Sequence, residues 1–78
     1  MIYLEDIKSE ADAKLAVEDC EIQAIEASEA ISNKRNRIQR AERDIKMLMK
    51  LCLLRKYKGP MEALQSMLDR LGEAKSEL

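Results

Sequence analysis

Apolar residues recur along most of the chain at heptad spacing. Starting from Val17, the stripe runs Val17, Cys20, Ala24, Ala27, Ile31, Lys34, Ile38, Ala41, Ile45, Leu48 and Cys52, and Lys34 is its one polar member. Alternating steps of three and four residues mark a helix–helix seam. The phase holds through the polar patch Ser32-Asn33-Lys34-Arg35-Asn36, and no glycine or proline occurs before Gly59. A hairpin turning at 32–36 has no need to keep that phase, whereas a continuous helix does. The pattern therefore predicts one long amphipathic helix over about 4–56, in a helical region 4–57; at ~1.5 Å per residue it would be ~80 Å long.

A second apolar set, Leu4, Ile7, Ala11, Leu15, Ile22 and Ile25, lies on another face of the first half, and Ile45 to Leu54 is apolar nearly all round. Such all-round apolarity marks a buried segment. Arg55, Lys56 and Lys58 suit the negative end of a helix dipole, and Gly59-Pro60 forms a break. Beyond it, Met61, Leu64, Met67, Leu68 and Leu71 make one face of a short helix over 60–72, with proline in its first turn. Gly72 is expected to fray its end and leave 73–78 as a tail. The whole of 1–78 reads as one all-α domain.

Charge changes the picture. From Met1 to Ile31 there are nine acidic residues and two lysines; from Ser32 to Lys58 there are ten basic residues against Glu42 and Asp44. Folding the seam antiparallel about a centre near residue 36 sets Ala24 against Leu48, Ala27 against Ile45, and the acidic half beside the basic half. A parallel in-register pair would set acid beside acid. Each exposed ion pair is worth only ~0.2–1 kcal/mol, but together they select orientation.

Two architectures satisfy the pattern. One is a homodimer of long helices in antiparallel coiled-coil-like packing, with Val17, Cys20, Ala24, Ala27, Ile31, Ile38, Ala41, Ile45, Leu48 and Cys52 as the self-association seam. The other is a monomeric three-helix bundle turning at 32–36. The unbroken phase and the missing glycine favour the dimer; the short chain and the turn-like patch favour the bundle. The dimer is the primary expectation.

Composition narrows the chemistry. There is no histidine, so neither a Ser-His-Asp nor a Cys-His arrangement can form, and the two cysteines cannot complete a tetrahedral zinc site within one chain. Both cysteines fall on the apolar stripe, where a free thiol behaves as a small hydrophobe. There is no glycine-rich phosphate loop, no secretory leader pattern and no apolar run long enough to span a bilayer. The expectation is a non-enzymatic, cytoplasmic protein with no cofactor and no bound metal.

The reading adopted is a small self-associating regulator, adaptor or inhibitor that binds itself and a larger protein. Its candidate partner-binding residues are the arginines Arg35, Arg37, Arg40 and Arg43 and the acids Glu18, Asp19, Glu21, Glu26 and Glu29. The arginine-rich segment 34–43 also admits a nucleic-acid-binding helical dimer. Against that stand a net charge of −1 and a seam running through the basic segment. A structural spacer within an assembly is a third reading. Membrane binding is not expected, because the apolar residues of 46–58 surround the helix instead of lying along one side.

Overall fold

The computed structural model describes residues 4–78; positions 1–3 of the expected domain lie outside them. A single 3-10 turn, Leu4–Asp6, leads into three helices: α1 (Glu10–Glu29), α2 (Lys34–Arg55) and α3 (Lys58–Ser76). All three pack on one another as an up-down-up bundle. The expected continuous helix over 4–56 is thus corrected. The chain turns at residues 30–33, and the architecture is the three-helix alternative, with its turn slightly earlier than 32–36.

Local chemistry accounts for each boundary. Ser9 caps α1, its Oγ accepting the Asp12 N–H at 3.2 Å. Asp12 Oδ2 in turn accepts the Lys8 N–H at 3.0 Å, a reciprocal arrangement close to a capping box. Helix α1 therefore starts six residues later than the hydrophobic pattern suggests. At its other end Ala30 leaves the helix in an extended conformation. Asn33 then sits in the left-handed region at φ 54° and ψ 30°, and its carbonyl accepts the Arg37 N–H at 3.0 Å. Asparagine is among the few non-glycine residues that tolerate this conformation.

The break between α2 and α3 lies earlier than Gly59-Pro60. Lys56, at φ 62°, is the left-handed cap, and the Tyr57 N–H returns to the Cys52 carbonyl at 2.9 Å. Gly59 and Pro60 belong to the first turn of α3, where the missing proline N–H has no helical partner to lose. Helix α3 continues through Gly72 to Ser76, so the frayed tail expected over 73–78 is largely helical. Ala74 within it is buried.

Nine of the ten seam residues are buried in this one chain, joined by Ala13, Ala16, Leu64, Met67, Leu71 and Ala74. Helix α1 contributes mostly alanines. The large filling comes from Ile38, Ile45 and Leu48 of α2 and Leu64 and Leu71 of α3, all with no exposed surface. Small residues on α1 opposite large ones on α2 and α3 let the three helices pack closely. The seam expected between two copies is accordingly an internal core. Ile31, expected within it, lies in the turn and is fully exposed. Gln23 Nε2 donates to Asp44 Oδ2 at 3.2 Å, so Ala27 comes level with the Ile38–Ala41 turn instead of facing Ile45. An Arg55 guanidinium N–H donates to the Ile7 carbonyl and ties the other end of the hairpin.

Candidate interaction surface

Once the core is closed, α1 and α2 still carry apolar side chains on the side they share. On α1, Leu15, Asp19, Ile22 and Glu26 follow one another at helical spacing on the outer, α2-facing side of the helix. On α2 the equivalent line is Arg37, Arg40, Asp44, Met47, Leu51 and Leu54. Gln23, one turn from both Asp19 and Glu26, bonds Asp44, so the α1 line runs along the outer edge of the groove that the α2 line borders. Leu15 is 62% exposed, Ile22 57%, Met47 47% and Leu54 74%. In the hairpin register Leu15 lies level with the Met47–Leu51 turn, so the apolar residues gather toward the open end. The second apolar set expected on the first half of the chain is split. Ile7 is buried, Leu4 and Ile25 are half-buried, and Ala11, Leu15 and Ile22 face solvent.

Toward the turn the groove becomes polar and widens into a cleft of about 470 Å³ lined by Gln23, Glu26, Ala27, Asn33, Asn36, Arg37 and Arg40. A second, apolar notch of about 330 Å³ opens at the α2–α3 corner, lined by Cys52, Leu53, Lys56, Tyr57, Lys58 and Met61. Periodicity alone does not find this notch, because it is made by the left-handed bend at Lys56.

All nine candidate partner-binding residues are exposed. They do not form one cluster. Glu26, Arg37 and Arg40 line the polar end of the α1–α2 groove, whereas Glu21 faces α3 beside Met67 and Arg70. The acidic and basic halves were expected to pair along their flanks. Instead, the one ion pair among the described residues joins Lys75 Nζ to Glu42 Oε1 at 3.6 Å, between α3 and α2. Helix α1, with seven acids and Lys14, lies beside α2, with eight basic residues and two acids, without a direct ion pair between them. Complementary charge is displayed on neighbouring helices and left to solvent.

The two cysteines are free thiols buried in the core. Burial, reinforced by the Asp44 carboxylate, pushes Cys20 up from its ordinary 9.0 to about 12, and burial raises Cys52 as well. Both are held as neutral thiols, the unreactive form. Among the described residues no group of three or more His, Cys, Asp or Glu side chains is placed to hold a metal. None of the helices is long and apolar enough to cross a membrane. No known protein family, curated protein or solved structure matches the chain.

Proposed function

We propose that the protein is a non-enzymatic protein–protein interaction module that works through the α1–α2 side of its bundle, as a small self-associating regulator, adaptor or inhibitor. The observation carrying this reading is the coincidence on one side of exposed Leu15, Ile22, Met47 and Leu54 with unpaired acids and arginines. Apolar residues rimmed by charge are what a protein interface presents before its partner arrives. Placement of the charges adds support. The last turn of α1 contains no basic residue, and the first turn of α2 contains no acidic one, so each helix end at the turn opposes its own dipole. A phosphate backbone is the weaker fit, because Glu26 shares the cleft with Arg37 and Arg40.

Arg37→Glu combined with Arg40→Glu tests the reading. Both residues are exposed, so helicity is expected to stay intact. Tagged wild-type protein cross-linked in a lysate of its source cells should give discrete species of higher mass, and the double variant should give none. An unchanged cross-linking pattern from the folded double variant would remove this surface from the function.

A further inference from the structure

Other features carry less. Nothing about the apolar notch at the α2–α3 corner identifies what would fill it, and neither cysteine has exposed surface. The α1–α2 side is different, because it holds both halves of its own complement.

On the reading that this side is the interaction surface, we infer that its occupant is a second copy of the same chain. The copies are related by a two-fold axis running parallel to the helices. That axis lays α1 of one copy over α2 of the other, antiparallel and at the same level along the bundle. Acidic α1 then covers basic α2 twice, once in each direction. A two-fold perpendicular to the helices would stack α1 on α1 and α2 on α2, acid on acid and base on base. Isologous contact requires a self-complementary patch, and charge selects between the two axes.

The level relation fixes the contacts. Within one chain Gln23 meets Asp44 and Ile7 meets Arg55, and the parallel axis carries the same levels to the other copy. Glu26 comes opposite the partner's Arg40, and Leu15 comes opposite the partner's Met47. The apolar residues meet near the open end, and the charges meet near the turn.

Area is sufficient if most of the side is used. The bundle measures 36 × 20 × 15 Å between Cα extremes. One side therefore projects roughly 700 Å² before its side chains are counted, against about 800 Å² per partner in a standard stable interface. Side-chain relief makes up the difference, and the interface belongs at the lower, concentration-dependent end of that class.

Charge exchange between two single variants provides the test, read by light scattering after size exclusion over a wide dilution range with reductant. Wild-type protein should run at twice the 9.0 kDa chain mass at high concentration. Glu26→Arg alone and Arg40→Glu alone should each fall to the single-chain mass with unchanged helicity. An equimolar mixture of the two should return to the doubled mass, since each variant supplies the charge the other lacks. Leu15→Glu should stay monomeric in every mixture. A wild type that stays at 9.0 kDa throughout, or a mixture that fails to recover, overturns the dimer. In that event, heavier cross-linked species that vanish with Arg37→Glu and Arg40→Glu would keep the interaction surface and reassign its occupant. Loss of both results would remove the surface as well.

Discussion

The turn at Asn33 decides between a hairpin and a continuous helix, and one position can separate them by sign. Asn33 occupies the left-handed region at φ 54°. That conformation costs an ordinary L-residue about 1–2 kcal/mol, asparagine less, and glycine essentially nothing. Asn33→Gly removes the remaining strain but loosens the unfolded chain, which offsets about 0.4–1 kcal/mol of the gain. Asn33→Ala keeps the full strain and loses the tolerance of asparagine. In the hairpin, the glycine variant should therefore be more stable than the alanine variant by about 1 kcal/mol. If residue 33 lay inside an unbroken helix, alanine would win by about 0.8–1 kcal/mol. Urea unfolding followed at 222 nm reads the difference directly. With a slope of about 1 kcal/mol/M for a small domain, the two midpoints should differ by about 1 M, glycine above alanine. An alanine variant that outlasts the glycine variant would refute the turn and restore the long helix.

Three further outcomes follow from the packing. Gly72 lies inside α3, and an added Cβ meets nothing within 4 Å, so Gly72→Ala should stabilise by about 1 kcal/mol and raise Tm by about 4–8 °C. An unchanged Tm would mean that the helix does not persist there. Leu48→Ala, at a position with no exposed surface, should cost about 2–5 kcal/mol, whereas Leu53→Ala, 66% exposed, should stay within about 0.5 kcal/mol by the same urea measurement. Equal effects would contradict the assignment of core and surface. The raised thiol of Cys20 binds its proton more tightly in the folded state, so its stabilisation is complete below pH 9.0 and is lost as pH rises toward about 12. Between those limits the wild type should lose up to about 1.4 kcal/mol per pH unit relative to Cys20→Ala. Parallel pH profiles for the two proteins would show that the thiol is not desolvated.

How much of this was legible follows from what periodicity measures. The heptad stripe reports which face of each helix is buried, and Val17, Cys20, Ala24, Ala27, Ile38, Ala41, Ile45, Leu48 and Cys52 are all inside. It is silent about whether the opposite helix belongs to the same chain. Phase continuity across 31–34 suggested one helix, yet Ile31 is exposed and Lys34 half-buried, so those two positions kept the spacing without serving the core. The polar patch Ser32–Asn36, with Asn33 in it, is the local sign of a turn, and it competes with an uninterrupted pattern. Lys56 gave no sign at all, since lysine has no preference for the left-handed region. Gly59-Pro60 reads as a break in the sequence, yet both residues lie in the first turn of α3, because the chain has already turned at Lys56 and only Lys56 and Tyr57 separate the two helices. The nine charged candidates were identifiable as exposed from the sequence. Their division between the groove and the α3 side required the hairpin register.

Charge is where folding and the remaining surface part company. A bundle selected for stability alone would put basic residues at the C-terminal end of α1 and acids at the N-terminal end of α2, each worth about 0.3–1 kcal/mol against the dipole. Here Glu26 and Glu29 close α1, and Lys34, Arg35 and Arg37 open α2, so both ends carry the unfavourable sign. Opposite charges on adjacent helices could offset this by pairing across the hairpin, but no ion pair joins α1 to α2 among the described residues. The core does not need these charges either: it is apolar, and no buried side-chain polar atom among the described residues lacks a hydrogen-bond partner. What the arrangement does produce is an acidic helix and a basic helix side by side, each edged with exposed aliphatic residues. That geometry becomes favourable when another surface of the opposite order is laid across it, and a second copy of this chain presents one.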